Sequence, residues 1–448
     1  MNRTSTPVTT RTRAWVPLLC WLAIVLDGFD AVVLGAVLPS LIDDPNIAVT
    51  AASGTWIASA GLFGMMLGAM AMGTFTDRFG RRNLMMGSVL IFSLFTAACA
   101  MATDPTTLGI LRFLAGVGLG GCLPTAIATV TEFSDRRRGA HAVTLLMTGY
   151  HVGAVLTALL GIGILTATGG NWQLMFVIGA LPAAILLPLM WKFMPESPAL
   201  LLDQGKPEQA RRIADEYGVE LSEQARHNAS EPQRPQGAVR ALFAPQYRWT
   251  TPLVWVAAFM GLLLVYGLNT WLPQIMRAAD FDLGNALALL MVLNLGAVAG
   301  LLFAGRIADA ITPRKAACLW FFGSAIMLGA LAIKLPLIGT YVLVFITGVF
   351  VFSAQNLVNA FVATHHPASL RGTALGLALG VGRLGAISGP IIGGTLVAAG
   401  IAYPWGFYAF AGVGLLGTVA MVLIGAVLKA QGRSNRDRAP VDEALTNA

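Results

Sequence analysis

Two carboxylates three residues apart, Asp27 and Asp30, stand inside a run from Trp15 to Leu38 that otherwise carries no charge. Groups of this kind take up and release protons where water is scarce. A run of that length crosses a bilayer as one helix, for which about 20 apolar residues suffice. The spacing puts both carboxylates on one helix face. A central Asp costs about 2.5 to 3.5 kcal/mol to insert, so that face must turn toward a helix bundle or a watery cavity. There the pair serves a proton or substrate path, or it ties helices together through polar contacts.

Cations in apolar segments supply the matching chemistry. Arg383 lies 12 residues beyond Arg371, so about 18 Å along a helix at 1.5 Å per residue. Asp27 lies 12 residues beyond Trp15, at a similar depth. Arg383 is therefore a candidate clamp for a carboxylate, which a guanidinium binds bidentately; the alternative is an interhelix ion pair. Arg112 lies at roughly the depth of Asp30, which makes it a partner for that carboxylate or a second candidate for the substrate's. Phe29, Tyr150, Tyr266, Trp271 and Phe361 are aromatic groups that either stack on a ring or pack between helices. Asn269, Asn294, Gln355, Asn356 and Asn359 either hydrogen-bond a ring hydroxyl or join helices. His151 reads as a packed polar residue or a functional one. There is no nucleophile triad, phosphate loop or metal-ligand spacing, so no enzyme, cofactor or metal is expected. Cys20, Cys99, Cys122 and Cys318 fall in apolar runs and read as small buried hydrophobes.

The elements that hold these groups follow from composition. The chain has 448 residues, 56% hydrophobic and 11% charged, against about 25% charged in soluble proteins. It is an all-α membrane protein with twelve spanning helices in two six-helix halves. The boundaries are an N-terminal half at 1–194, a connector at 195–247, a C-terminal half at 248–430 and a tail at 431–448. Within the connector, Gly205 to Tyr217 forms an amphipathic helix and Ser230 to Gly237 reads as linker. The net charge of +7 forms no patch for nucleic acid. Of the 29 Lys and Arg, Arg112 and Arg383 lie within spans, and Arg277 and Lys334 lie in odd-numbered connections. The rest lie at the termini or in, or bordering, even-numbered connections, which puts both termini in the cytoplasm.

The halves repeat. Gly73-Thr74-Phe75-Thr76-Asp77-Arg78-Phe79-Gly80-Arg81-Arg82 follows the second span, and Gly305-Arg306-Ile307-Ala308-Asp309 follows the eighth. Gly73 to Gly305 and Asp77 to Asp309 are both steps of 232. Arg138-Gly139 and Arg371-Gly372 are 233 apart, and the same step carries Arg383 onto Tyr150. Parallel repeats of this size belong to one transporter architecture. A tight basic turn joins two helices here, and Asp77 is suited to accept from a helix N-terminus or an Arg across the bundle.

The Gly73–Arg82 segment resembles the loop motif of the major facilitator superfamily. Arg112, Gly116 and Gly120 resemble a second motif, whose glycines let helices approach closely. Pro195-Glu196-Ser197-Pro198 resembles the motif after the sixth helix of sugar and organic-acid proton symporters. Asp27-Gly28-Phe29-Asp30 in the first helix resembles the aromatic acid:proton symporter family, as do Glu132, Asp309, Arg371 and Arg383. The resemblance implies the major facilitator fold and proton-coupled import of a benzoate, hydroxybenzoate, protocatechuate or gentisate type acid across the bacterial inner membrane. It implies proton coupling at Asp27 and Asp30, substrate contacts at Arg383, Tyr150, Arg112, Phe29 and Asn294, and conformational control at Gly73, Asp77, Arg78, Gly80, Arg81, Glu132, Asp309 and Arg371. The partners expected are the acid, the proton and the lipid bilayer. Import of another organic acid or a sugar, drug efflux, and a non-transporting receptor on the same fold are the alternatives.

Overall fold

The computed structural model describes residues 10–134, 139–219, 238–366 and 368–446, with the backbone alone at some of these positions, 72–79 and 371–372 among them. Every regular element among the described residues is a helix, and twelve segments are long and apolar enough to cross a membrane. The first five spans are α1 (Thr10–Asp43), α2 (Ala51–Phe79), α3 (Arg81–Cys99), α4 (Pro105–Phe133) and α5 (Gly139–Ala167). The sixth consists of α6 (Trp172–Ala180) and α7 (Ala183–Phe193), parted at Leu181 and Pro182. After the short α8 (Pro198–Asp203), α9 (Pro207–Tyr217) and α10 (Ala238–Ala241) come the last six spans. These are α11 (Thr250–Ala278), α12 (Leu283–Ile311), α13 (Pro313–Leu331), α14 (Leu337–His365), α15 (Ala368–Ala398) and α16 (Trp405–Thr446).

Local chemistry sets several of the ends. Asp104 caps α4, its carboxylate accepting from the Thr106 and Thr107 backbone N–H groups at 2.9 Å each. Pro105 follows at the first helical position, where its missing N–H costs nothing. Ser197 caps α8 in the same way, ahead of Pro198. The amphipathic helix expected over Gly205–Tyr217 forms as α9, which ends on Gly218 at φ 63°. It buries Ala210, Ala214 and Tyr217, and the Tyr217 ring lies edge-on to Phe133 of α4 at 5.6 Å. The Ser230–Gly237 linker lies outside the described residues.

By packing, the chain divides into two units: Met1–Gln233 with Asn269–Asn294, and Arg234–Leu268 with Leu295–Ala448. The line runs through α11 and α12, whose facing ends and intervening turn pack with the first six spans.

Inside the first unit, α2 and α4 touch backbone to backbone. A Cβ added at Gly116 or Gly120 would lie 2.1 Å from the carbonyl of Gly61 or Met65, which is the close approach expected of those glycines. On α2, a Cβ added at Gly64 or Gly68 would lie just as close to the Phe113 or Val117 carbonyl, at 2.1 Å each. Inside the second unit, a Cβ added at Gly296 or Gly300 of α12 would lie 2.0 or 2.5 Å from the Phe345 or Val349 carbonyl of α14. Gly64 to Gly296 and Gly68 to Gly300 are again steps of 232. The sequence repeat is thus a repeat of helix crossings, each made possible by removing side chains from the line of contact.

Candidate functional site

The acidic pair is positioned by a helix crossing. At Gly28, between Asp27 and Asp30, α1 passes α5 so closely that a Cβ would lie 2.0 Å from the Tyr150 carbonyl. Both carboxylates are buried. Asp27 comes within electrostatic reach of Cys122 on α4. Asp30 meets Arg112 of α4, as their shared depth anticipated. Arg112 Nη1 donates to the two Asp30 carboxylate oxygens at 2.9 and 3.0 Å, and Nη2 donates to the Asp30 carbonyl at 3.0 Å. Thr96 of α3 donates its hydroxyl to the same carboxylate. The Arg112 and Asp30 side chains are 6% and 3% exposed, and the guanidinium lies 6.0 Å from the Phe176 ring centroid. A buried pair of this kind depends on its hydrogen bonds; both Nη atoms of Arg112 are engaged, while its buried Nε has no hydrogen-bond partner. Arg112, a candidate for the substrate carboxylate from sequence, already has a carboxylate of the protein in its fork.

Two more expected substrate contacts are engaged by the protein. Phe29 turns its ring toward α6, where a Cβ at Gly179 would lie 2.3 Å from it. There it lines an apolar cavity of about 370 Å³ with Leu26, Leu156 and Pro182. Its position one residue before Asp30 rotates it away from the acidic face, so it packs helices. Asn294 is fully buried and donates to Asn269 Oδ1 at 3.0 Å and to the Leu290 carbonyl at 3.1 Å. It also interacts with the His151 ring, so α5, α11 and α12 share one buried polar chain in the first unit. Tyr150 is half-buried, its ring edge-on to His151 at 5.3 Å.

In the second unit Arg383, half-buried on α15, donates from Nη1 to the Tyr266 hydroxyl at 3.1 Å, with its guanidinium 6.0 Å from that ring. A phenol oxygen that accepts from one guanidinium nitrogen helps to orient the fork. Tyr266 was one aromatic among many in the sequence; its contact with Arg383 singles it out.

A third cluster lies where α3 begins and α4 and α7 end. Glu132 of α4 pairs with Arg81 Nη1 at 2.7 Å and accepts from the Ser197 hydroxyl at 2.7 Å and the Ala199 backbone N–H at 2.9 Å. Glu196 Oε1 accepts from the backbone N–H groups of Arg81 and Arg82 at 2.8 and 3.3 Å, at the N-terminus of α3. A carboxylate is favoured there by the exposed N–H groups and the helix dipole. Gly80 carries φ 87°, and a Cβ on it would lie 2.2 Å from Glu196 Oε2. Glu196 was legible only as part of a motif; its hold on α3 appears once α7 is brought beside it. The side chains of Gly73, Asp77, Arg78 and Arg371 lie outside the described residues, and Asp309 is exposed near the end of α12.

A twelve-span all-α architecture with repeated helix crossings and buried charge pairs is that of a polytopic membrane protein. The chain belongs to the Major Facilitator Superfamily, whose profile matches residues 20–390 and 295–446. It is 34% identical to the benzoate transport protein of Acinetobacter baylyi, over 91% of this chain and 89% of that one. It is 33% identical to the gentisate transporter of Corynebacterium glutamicum, over 91% of this chain and 86% of that one. The resemblance of Asp27-Gly28-Phe29-Asp30 to the aromatic acid:proton symporters agrees with both. In fold, the chain matches the crystal structure of a bacterial homologue of the human lysosomal transporter Spinster. The TM-score is 0.73 at 17% identity, covering 94% of this chain and 98% of that one.

Proposed function

We propose that this protein imports an aromatic carboxylic acid of the benzoate, hydroxybenzoate, protocatechuate or gentisate type by proton-coupled alternating access. It does so in a bacterial inner membrane with both termini in the cytoplasm. The observation that carries this reading is the relationship, over nine-tenths of the chain, to proteins named as benzoate and gentisate transporters. The side of the termini rests on the Lys and Arg distribution.

The roles divide as follows. Asp30 holds Arg112 and keeps α1, α3 and α4 in register, because its charge is already matched. Asp27 carries the coupled proton, which removes the charge that makes a carboxylate expensive in the bilayer. Arg383, oriented by Tyr266, receives the substrate carboxylate, and Tyr150 offers an aromatic face to the ring. The Arg81–Glu132 pair with Gly80 sets the balance of conformations, and Gly73, Asp77, Arg78, Asp309 and Arg371 join it by their place in the motifs. Protonation of Asp27 and binding of the acid together permit reorientation, and the lower proton activity of the cytoplasm then releases both.

The test is uptake by purified protein in liposomes with an alkaline interior. Radiolabelled benzoate, 4-hydroxybenzoate or gentisate should accumulate faster than in protein-free liposomes under the same gradient, and a protonophore should discharge it. Binding of these acids without accumulation would instead mark a receptor, and the absence of both across the panel would defeat the reading.

A further inference from the structure

A groove between α3 and α7 has no part in the transport roles above. Met86, Gly87 and Leu90, with Asn83 at the α3 start, form one wall and Leu187, Pro188 and Trp191 the other, around about 480 Å³. Both walls belong to membrane-spanning segments. Met86, Leu90 and Leu94 lie four apart, so one face of α3 is involved. Leu90 and Leu94 are exposed, and Trp191 is 69% exposed. Apolar side chains exposed within a span meet lipid chains. Gly87 is the gap in the wall, since a Cβ on it would meet nothing within 4 Å.

One end of the groove is cationic. Arg82, at the start of α3, donates from Nη2 to the Trp191 carbonyl, and its buried Nε has no hydrogen-bond partner. Lys192, one turn beyond Pro188, is exposed with Nζ 5.2 Å from the Phe193 ring. The backbone N–H groups at the start of α3 are occupied by Glu196, so an anion here would be held by the two side chains. Trp191 stands at the same end, where an indole prefers the membrane interface. The groove is therefore apolar along its length and basic at the end, which is the complement of an amphiphile with an anionic head.

We infer that this groove seats an anionic phospholipid, with an acyl chain along Met86, Gly87 and Leu90 and the phosphate against Arg82 and Lys192. Basic pockets between spanning helices recognise anionic headgroups in this way. None of the groove's residues is among those assigned to the proton or the substrate, so its occupancy does not depend on which solute is carried.

The experiment is lipid titration of the delipidated full-length protein, read by native mass spectrometry with phosphatidylglycerol or phosphatidylcholine of identical chains. Two basic side chains at a headgroup should give phosphatidylglycerol a preference on the order of tenfold to thirtyfold, shrinking as salt is raised. Gly87→Leu, for which there is room and which favours the helix, should fill the groove. It should weaken phosphatidylglycerol binding about tenfold while leaving the lipid-free melting temperature intact. Lys192→Gln should reduce the preference severalfold and leave phosphatidylcholine binding unchanged. Equal binding of the two lipids by the unaltered protein, or unaltered binding by folded Gly87→Leu, overturns the inference. Neither readout involves transport, so failure of the uptake assay would leave this test standing.

Discussion

The Asp30–Arg112 pair makes the sharpest quantitative prediction. Asp30→Asn keeps the side chain's size but removes its charge. Arg112 then retains its bond to the residue-30 carbonyl at 3.0 Å but faces a neutral amide, in a site where the guanidinium side chain is 6% exposed. Leaving one buried charge without its partner costs about 3 to 5 kcal/mol. Arg112→Gln should cost a similar amount, because Asp30 would lose its counter-charge and keep the Thr96 hydroxyl. The double variant places two neutral amides side by side and should cost less than either single change. The non-additivity should reach at least about 3 kcal/mol, the upper edge of couplings between contacting residues. The assay is reversible unfolding in mixed micelles, followed by tryptophan fluorescence, for all four proteins. Costs that add within about 0.5 kcal/mol would refute the claim that each residue exists to neutralise the other. The same double variant separates structure from substrate: its benzoate affinity should stay within a factor of about three of the unaltered protein. A collapse of affinity in folded double variant would move the carboxylate site from Arg383 to Arg112.

Three further outcomes are expected. Asp27→Asn should abolish accumulation driven by a pH gradient while leaving counterflow exchange of acid measurable; gradient-driven uptake at the unaltered rate would remove Asp27 from the coupling step. Arg383→Ala should weaken binding of an aromatic acid by about 2 to 5 kcal/mol and barely affect the matching amide, with Arg383→Lys intermediate because the planar fork is lost. A coupling near zero in that four-way comparison of affinities would make Arg383 a structural cation. Gly80→Ala should destabilise the protein by about 1 to 3 kcal/mol from a backbone conformation, φ 87° with ψ 152°, that is essentially glycine's alone, and Glu196→Ala in the same variant should relieve only the additional contact with Glu196; an unchanged melting curve for Gly80→Ala would speak against both terms.

The sequence by itself determined the class of molecule and much of its architecture. Twelve apolar stretches of bilayer length leave no choice but spanning helices, because backbone polar groups in lipid must be satisfied within the segment. The step of 232 between Gly73 and Gly305 announced the repeat, and depth along the helices was enough to propose Arg112 for Asp30. What periodicity could not do was divide labour on one face. Asp27 and Asp30 share a face of α1, and the bonds to Asp30 from Arg112 of α4 and from Thr96 of α3, 82 and 66 positions away, appear only once the helices are packed. Phe29 is adjacent to Asp30 in sequence, yet the 100° turn between neighbours on a helix carries its ring to Gly179. Glu196 reaches the start of α3 across 115 positions, and Tyr266 meets Arg383 across 117. Each of these contacts depends on how helices pack side by side, which is decided by small residues at their crossings and by side-chain shape, and a single chain read in order carries no record of which helix will be the neighbour.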